Sequence, residues 1–549
     1  MLKFLNIKKS EFKLIFIVSI IAIIFTSLPY LYGYFNSSNE YFYTGAHLAP
    51  TDLFVYESYI NQIKDGNIML ENLFNNELFP EKNFNIFWLI IGLFAKIFHL
   101  SAFLAFHLTR ILLIIPCLFA IYFLISYFFK NIVKRKIAFL LISFSSGLGA
   151  LLSPILNSSY YVEIEKGYYN WPLDLWATES NTFLTLYQSP HFIASLTCLI
   201  LIFLFFLIAL DTNKIKYSLI AGITALFYFN FHPFFLITIF SVISVYLIIL
   251  LLQKQKKIFL KGMKHLFIIG FISLPSILYH LTKILVDPIT QEKAKQNLCA
   301  TPSLFITIIS YGIPLFLAIY GIYYLIKNKK INNKNLFLIV WFIINFILIF
   351  CPLIAFQRRL TMGMQIPIVI LSVIAIFVIY ENIKNLKFIS NFKKSKAVTI
   401  LLLSFIFIFL SLSNLYVITE GFIVSYQKMN YLHTSKIQAM LWIKQNVKKN
   451  ETIFSSVLIG NIIPAIATKK VYAGHWVETT NSEYKRNKIV WFFRTNKSDK
   501  QKKKFLKNSR IDYIFYSNLE QNIGSFNPDE KKYLKKVYDN KDVQIYKVL

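Results

Sequence analysis

The chain has 549 residues, of which 56% are hydrophobic, 17% aromatic and only 15% charged, and its mean hydropathy is +0.54. This balance excludes a water-soluble globular protein and indicates a polytopic α-helical membrane protein, because runs of about 20 apolar residues recur along most of the sequence. The net charge of +31 does not indicate a nucleic-acid partner, since Lys-rich loops of membrane proteins report topology.

The N-terminal segment is basic and leads into a long apolar run without a small-residue cleavage site, which predicts a retained signal-anchor helix. Eleven membrane spans are predicted in all. They lie at about 14–34, 101–128, 137–155, 190–210, 217–231, 233–252, 265–284, 303–326, 336–353, 365–381 and 398–418.

Clusters of basic residues mark one side of these spans. They are Lys8, Lys9 and Lys13; Lys130, Lys134, Arg135 and Lys136; Lys254, Lys256 and Lys257; Lys327, Lys329 and Lys330; and Lys393, Lys394 and Lys396. The positive-inside rule makes this side cytoplasmic. We therefore expect a multi-pass protein of the cytoplasmic membrane with its N-terminus inside and its C-terminal domain outside the cell or in the periplasm.

The segment 83–100, "NFNIFWLIIGLFAKIFHL", is apolar but does not fit as a further span. If it crossed the membrane, the basic cluster at Lys130–Lys136 would lie on the outer face. We therefore interpret the segment as an interfacial helix on that face, with a membrane span as the alternative.

From about residue 419 the composition becomes that of a soluble domain. Its pattern predicts helices at 434–447 and 461–468 and strands at 451–457, 470–474 and 510–517. Alternating helices and strands predict a small α/β domain with a largely parallel sheet. The predicted organisation is a transmembrane domain over 1–418, with an outer loop of interfacial helices at 36–100, and an extracytoplasmic α/β domain over 419–549.

An acid stands near the start of the outer loop. Pro50 and Thr51 indicate the start of a helix over 51–65, with Thr51 as the N-cap. Asp52 and Tyr56 then share one face of this helix, whereas Glu57 is expected to be solvated. An acid in a first helical turn is also stabilised by the helix dipole without any further purpose.

Other polar residues lie near the predicted outer boundary. His191 stands at the entry of a span, and Asn230 and His232 interrupt an apolar run, which predicts either the wall of a cavity or a plain hairpin turn. Arg358 and Arg359 occupy a short outer loop. Arginines there favour bidentate phosphate binding, with snorkelling to lipid headgroups as the alternative.

Two further outer segments carry candidate residues. The loop 156–189 is rich in aromatic residues and contains Asp174 and Glu179, so it is expected either to stack against a sugar or to lie in the interface. His475 and Glu478 belong to "GHWVETTN", between a predicted strand and a helix, where open α/β sheets gather ligands. Forming the acceptor side of a cavity and docking the domain are both open for this loop.

No cofactor is predicted. The four cysteines lie far apart in sequence without metal or redox spacing, and only a disulfide between Cys299 and Cys351 is left open. The histidines are scattered, so a divalent metal is left open but unsupported.

Three stretches together resemble the GT-C superfamily of membrane glycosyltransferases, broadly the protein O-mannosyltransferase and aminoarabinose-transferase type. In that family an acid follows the first span in an outer loop of two interfacial helices, as in "PTDLFVYESYI" and "NFNIFWLIIGLFAKIF", and the second span begins with a basic residue, as in "FHLTRILL" with Arg110. The segments "ENLFNNE" and "YAGHWVET" look like those of bacterial members with a small C-terminal domain. The familiar Asp-Glu pair is absent because Leu53 follows Asp52, which leaves Asp52 as the matching acid.

The resemblance implies an inverting glycosyltransferase at the outer face of the cytoplasmic membrane. It would move a sugar from a polyprenyl-phosphate-linked donor to a glycan, lipid or protein acceptor, with membrane lipids as its other partners and no nucleic acid. Asp52 would be the general base, and Arg358, Arg359 and His232 would bind the donor phosphate. The residues expected to contact substrates are Tyr56, His191, Asn230, Glu179, His475 and Glu478.

Two other functions are kept as alternatives. The helix break near His232 fits a lipid or polysaccharide flippase or transporter, and a noncatalytic role in envelope assembly needs no site at all. The spans are nearly free of central charge and the acids lie on one surface, which favours the transferase.

Overall fold

A computed structural model of the chain describes residues 5–45, 47, 50–77, 81–156, 169–383, 396–426, 430–494 and 498–549. Two features used above lie outside the described residues. They are Lys393 and Lys394 of the last basic cluster, and positions 157–168 of the outer loop 156–189.

The described part of the chain is mostly helical. Its α-helices are α1 Lys9–Phe35, α2 Pro50–Lys64, α3 Ile86–Ile97, α4 Ala102–Phe128, α5 Ile132–Phe144, α6 Gly149–Leu152, α7 Thr182–Gln188, α8 Pro190–Thr212, α9 Ile215–Phe231, α10 Phe235–Leu252, α11 Lys256–Val286, α12 Pro288–Gln296, α13 Leu304–Lys327, α14 Asn333–Ile349, α15 Gln365–Ile383, α16 Lys396–Leu410, α17 Leu412–Tyr426, α18 Thr434–Asn446, α19 Val457–Ala467, α20 Ser482–Arg494, α21 Asp499–Asn508 and α22 Asn518–Gln521. Short 3₁₀ helices cover Leu173–Leu175, Gln357–Thr361 and Pro528–Glu530.

The strands are short. They are β1 Tyr41–Tyr43, β2 Leu70–Glu71, β3 Lys82–Asn83, β4 Tyr431–His433, β5 Thr452–Phe454, β6 Lys470–Val471, β7 Tyr513–Ser517, β8 Leu534–Asp539 and β9 Val543–Val548.

Seven helices in the described residues are long and apolar enough to cross a membrane. They are α1, α4, α8, α10, α11, α13 and the helical segment Gln357–Asn382, which contains all of α15 except its last residue. The pair α16 and α17, bent by 63°, adds an eighth if it is one span, and the apolar helices α9 and α14 have 17 residues each. All of these coincide with predicted spans, and the chain is a multi-pass α-helical membrane protein.

The predicted span 137–155 is interrupted, because α5 ends at Phe144 and α6 begins only at Gly149. The backbone turns out of the helix at Ser145, whose ψ is 149°. At Gly147 a Cβ atom would lie 2.3 Å from the carbonyl oxygen of Ser310, so only glycine permits this close approach to α13.

The apolar segment 83–100 folds as the 12-residue helix α3. At 1.5 Å per residue it is about 18 Å long, shorter than the roughly 30 Å hydrocarbon core of a bilayer. The Asn85 side chain caps its N-terminus by accepting from the Trp88 amide at 3.2 Å. A helix of this length is too short to cross the bilayer by itself, and its place in the interface stays a prediction.

The chain divides into two compact units. The first comprises Met1–Leu28, Thr109–His280 and Leu298–Glu420, and the second comprises Pro29–Leu108, Leu281–Asn297 and Gly421–Leu549. The outer loop and the C-terminal α/β fold thus belong to one unit. The organisation into 1–418 and 419–549 stays a prediction.

The second unit contains a five-stranded sheet in the order β6-β5-β7-β9-β8. β5 pairs in parallel with β6 and with β7, as predicted. β9 pairs antiparallel with both β7 and β8, so the sheet is mixed, because a C-terminal hairpin that we did not predict adds two strands. The predicted helices and strands of this domain are all present.

Helices cover both faces of this sheet. Ile453 and Phe515 pack with residues of α18 and α19, whereas Phe454 and Ile514 pack with residues of α20 and α21. Neighbouring residues of one strand therefore face opposite layers, as the two-residue period of a strand requires. Both faces are buried, which explains why β7 is buried along its whole length.

The outer-loop segment of the second unit is bound to this α/β fold. The Val471 amide donates to the Leu73 carbonyl at 3.0 Å, and Asn75 forms an antiparallel bridge with Ala473. On α2, the Asn61 side chain donates to the Ala465 carbonyl of α19 at 2.6 Å. These bonds hold the segment around Leu73 and Asn75 at the edge of the sheet and α2 against α19.

Candidate active site

Asp52 lies in the first turn of α2, in the second unit. The helix begins at Pro50, so Thr51 lies inside the first turn and is not the N-cap that we predicted. Nε2 of His475 is 2.8 Å from Oδ1 of Asp52. The Asp52 side chain is 43% exposed, whereas that of His475 is 5% exposed. The carboxylate therefore faces outward, and the imidazole lies behind it.

The turn that carries His475 is closed by its own bonds and by the outer loop. The Thr479 amide donates to the His475 carbonyl at 2.9 Å, and the Thr479 hydroxyl donates to the Phe74 carbonyl at 2.9 Å. A Cβ atom on Gly474 would lie 2.4 Å from the Gly460 carbonyl oxygen. The turn therefore packs backbone to backbone on α19, and His475 has little freedom to move.

Glu478 belongs to a buried group of charges in the same unit. Lys293 of α12 lies 2.6 Å from Glu478 and 2.8 Å from Glu81, and Lys283 lies 3.2 Å from Glu81. Burial alone would raise the pKa of Glu81, but the charges of Lys293 and Lys283 outweigh it and lower that pKa. Glu478 is thus neutralised by Lys293, which suits a structural ion pair better than an open binding group.

Tyr56 packs within an aromatic group. Its ring stacks on Trp88 of α3 at a centroid distance of 4.7 Å, and lies 6.2 Å from the ring of Phe106. The ring joins α2 to α3 and α4 and is partly buried. Most of its surface serves packing, and its role as a substrate contact stays a prediction.

Glu57, next to Tyr56, is not the solvated residue that its position predicted. It is partly buried, and burial raises the pKa of its carboxyl to about 8. At neutral pH this carboxyl is therefore largely protonated.

Replacing Glu57 with Gln should flatten the pH dependence of stability. The folded-state pKa near 8 exceeds the unfolded value of about 4.3, so the folded protein keeps a proton that the unfolded chain has lost. Stability therefore falls as pH rises from about 4 to about 8, and the variant should lose less over this window. Thermal unfolding between pH 5 and 8.5 measures the effect. The matched change at exposed Glu483 should leave the profile unaltered, and identical profiles for wild type and Glu57→Gln would contradict the prediction.

The two predicted phosphate-binding arginines lie in the first unit, on the 3₁₀ helix Gln357–Thr361. Arg358 lies 3.5 Å from a carboxylate oxygen of buried Glu179, and its guanidinium stacks over Trp176 at 4.5 Å. Arg358 and Arg359, both on this 3₁₀ helix, therefore have side chains that contact other residues of the first unit. Glu179 therefore positions Arg358 instead of standing alone as a substrate contact.

Arg359 contacts a cysteine and an aromatic ring. Its Nε lies 3.5 Å from Sγ of Cys299, and its guanidinium lies 4.9 Å from the Phe234 ring centroid. Burial would raise the pKa of the Cys299 thiol, but the charges of Arg359 and Arg358 outweigh it and lower that pKa. This environment favours an anion. Cys299 and Cys351 are both free thiols, so the disulfide left open above is not formed.

The two predicted histidines of this unit lie together. The rings of His191 and His232 have centroids 5.0 Å apart in an edge-on arrangement. His191 Nδ1 bonds the Ser189 hydroxyl at 2.6 Å, and His232 Nδ1 bonds the Ser195 hydroxyl. These serines fix the rings so that each presents Nε2 in a defined direction.

Asn230 and Arg110 are buried in the first unit. The Asn230 carbonyl accepts from His280 Nε2 at 2.8 Å. Arg110 donates to the Ser27 hydroxyl at 3.0 Å and to the Leu186 carbonyl at 3.2 Å, so it joins the first span to its neighbours. Within the described ranges, no three His, Cys, Asp or Glu side chains are placed to hold a metal ion.

Several solved membrane glycosyltransferases share this architecture. ArnT from Cupriavidus metallidurans superposes with a TM-score of 0.51 at 11% identity, over 96% of this chain and 97% of ArnT. The mycobacterial arabinofuranosyltransferase AftD gives a TM-score of 0.51 at 8% identity, over 97% of this chain but 41% of AftD. The oligosaccharyltransferase AglB from Archaeoglobus fulgidus gives 0.50 at 13% identity, over 93% of this chain and 70% of AglB. The chain has the GT-C glycosyltransferase fold.

The GT-C fold confirms the resemblance read from the outer-loop segments and the predicted fold class. No protein-family model and no curated protein sequence matches the chain. At identities of 8–13% the likeness concerns the fold, and the roles of individual residues rest on this structure alone.

Within the GT-C fold, the structure brings together some of the predicted site residues. Asp52 meets His475 in the second unit; in the first unit Arg358 meets Glu179, and His191 meets His232. The sequence analysis did not select Lys293, which neutralises Glu478 and Glu81. A signal did exist, because Lys293, like the two arginines, puts positive charge in a loop on the predicted outer side.

Proposed function

We propose that this GT-C protein is an inverting glycosyltransferase that moves a sugar from a polyprenyl-phosphate-linked donor to an acceptor hydroxyl at the outer face of the cytoplasmic membrane. The observation that carries the proposal is the Asp52 carboxylate. It lies 43% exposed in the first turn of α2 and is held at 2.8 Å by buried His475, in a chain whose fold is that of membrane glycosyltransferases.

The chemistry requires one base and one group that stabilises the leaving phosphate. The acceptor oxygen forms a bond to the anomeric carbon of the sugar while the bond from that carbon to the phosphate oxygen breaks. The acceptor proton passes to Asp52, and the electron pair of the broken bond stays on the polyprenyl phosphate. Displacement from the opposite side inverts the anomeric centre.

The leaving phosphate is the second requirement. Arg358 and Arg359 carry the positive charge suited to it, and the lowered pKa of the Cys299 thiol supports an anion-stabilising environment around them. AglB, which shares the fold, has been solved with a dolichol-phosphate, a ligand of the same chemical class as the proposed leaving group. Arg358 must exchange its Glu179 contact for the phosphate, which a 3.5 Å pair allows.

The test is an assay of membranes containing the protein with radiolabelled polyprenyl-phosphate hexoses. Label should leave the donor and appear in an acceptor fraction, with release of polyprenyl phosphate. Membranes with Asp52→Asn protein serve as the control. Failure to consume any such donor, with the protein folded and inserted, would contradict the proposal.

Replacing both Arg358 and Arg359 with Gln should weaken donor binding while the protein stays folded. A hydrogen bond to a charged group contributes about 1.5–3 kcal/mol, so each lost arginine should cost about tenfold or more in donor affinity. Binding of a polyprenyl-phosphate sugar to purified protein measures this. The matched control is Arg486→Gln, an exposed arginine on α20, which should bind normally. Unchanged affinity in the double variant would leave these arginines as lipid-headgroup contacts.

A further inference from the structure

Asp52 and His475 form a pair in which the usual order of a catalytic acid and histidine is reversed. The carboxylate is the exposed partner, at 43%, and the imidazole is the buried one, at 5%. A group that meets the acceptor must be accessible, so the imidazole acts on the carboxylate from behind.

The hydrogen bonds fix which proton the imidazole carries. An ionised carboxylate only accepts hydrogen bonds, so His475 Nε2 must be the donor at 2.8 Å. His475 Nδ1 is buried and has no hydrogen-bond partner among the described residues. The geometry therefore places a proton on Nε2, the nitrogen that faces Asp52.

The surroundings of His475 keep this arrangement rigid. The Phe74 ring lies edge-on at a centroid distance of 6.3 Å, and the closed turn from Gly474 to Thr479 is tied to the outer loop. Asn72 also donates to the Glu478 carbonyl at 2.8 Å. The α/β fold, which is remote in sequence from Asp52, therefore fixes the position of the imidazole.

We propose that His475 is a positioning residue, which orients the Asp52 carboxylate toward the acceptor hydroxyl by donating its Nε2 proton. The proposal rests on the proposed function of Asp52 as the general base. It assigns the α/β domain a direct part in catalysis and replaces the acceptor-binding role that the sequence suggested for His475.

Two variants at His475 separate positioning from other roles. His475→Leu removes the donor, and His475→Gln places an amide N–H near the position of Nε2. The Leu variant should lose about 10²-fold in kcat, because a base misplaced by about 1 Å costs about that much, with little change in KM for the acceptor. The Gln variant should recover most of this loss. In the Asp52→Asn background, His475→Leu should cost little more, since the two residues act as one unit.

The outcomes that overturn the proposal are distinct. A Leu variant that keeps its kcat but has a higher acceptor KM would make His475 a binding residue. Equal losses for Leu and Gln together with lower thermal stability would make it a docking residue. Circular dichroism and thermal unfolding of both variants show which of these applies.

A second measurement does not depend on transfer activity. The ¹⁵N spectrum of protein labelled at histidine, with His475 assigned by its absence from His475→Gln, should show a proton on Nε2. The signal should shift in Asp52→Asn. A ring protonated on Nδ1 alone, or no response to Asp52→Asn, would overturn the pairing. If this spectrum is as expected but wild-type protein transfers no sugar, the proposed function fails and the pair stands.

Discussion

Replacing Asp52 with Asn is expected to lower the rate of sugar transfer by about 10²–10⁴-fold, the usual effect of losing a catalytic base. The fold should survive, because the side chain is 43% exposed and the amide oxygen of Asn can accept the same bond from His475. What disappears is the negative charge that takes the acceptor proton. Donor binding should persist, so the defect should lie in kcat, measured as initial rates with saturating polyprenyl-phosphate sugar.

The position of Asp52 in the first turn of α2 makes its role as a base more demanding. The dipole of α2 stabilises an anion in the first turn and lowers its basicity, so the position of the carboxylate must be precise for it to act as a base. Glu57→Gln, five residues further along the same helix, is the matched control and should change the rate far less.

Near-normal turnover of Asp52→Asn would leave this acid as a helix-stabilising residue. The other outer carboxylates offer poor replacements. Asp174 is fully buried, and burial raises its pKa to about 7. Glu179 is buried against Arg358.

Replacing Lys293 with Met is expected to destabilise the protein by about 3–5 kcal/mol, the range measured when one partner of a buried ion pair is removed. Lys293 lies 2.8 Å from Glu81 and 2.6 Å from Glu478, both of them buried or nearly so. Glu81 keeps Lys283 at 3.2 Å, so Glu478 suffers the larger loss. Chemical unfolding of purified protein, followed by tryptophan fluorescence, measures the change.

The origin of this loss can be tested directly. The double variant Lys293→Met/Glu478→Gln should recover part of it, because a neutral amide costs less to bury than an unpaired carboxylate. Lys295→Met, an exposed lysine on the same helix α12, should stay within about 0.5 kcal/mol of wild type. Equal stability of the Lys293 and Lys295 variants would show that the buried charges make no net contribution to the free energy of unfolding.

Much of the fold could be predicted because local patterns report burial. The apolar runs located the membrane helices, and "RIDYIFYS" identified β7 by its continuous apolar character. The prediction was wrong where a few residues determine whether a helix continues. At Gly147 the apolar run is broken because the backbone closely approaches that of Ser310. The hairpin of β8 and β9 was missed because the sequence of β8, "LKKVYD", does not alternate clearly between apolar and polar residues.

The site shows the same division. The sequence selected Asp52, His475, Arg358 and Glu179 by residue type and by their predicted side of the membrane. It did not show that Asp52 bonds His475, 423 residues away, or that Arg358 bonds Glu179, 179 residues away.

The sequence by itself determined the class of this protein, its membrane helices, the helix that presents Asp52 and most of the α/β elements, because hydropathy and its period act within a few turns of the chain. Only the tertiary structure decided that a buried histidine of the C-terminal domain holds the Asp52 carboxylate and that Lys293 neutralises Glu81 and Glu478. Which polar groups pair over long sequence distances depends on which segments of the chain the fold brings together. The cost of burying an unpaired charge then makes those partners necessary once the fold has placed them.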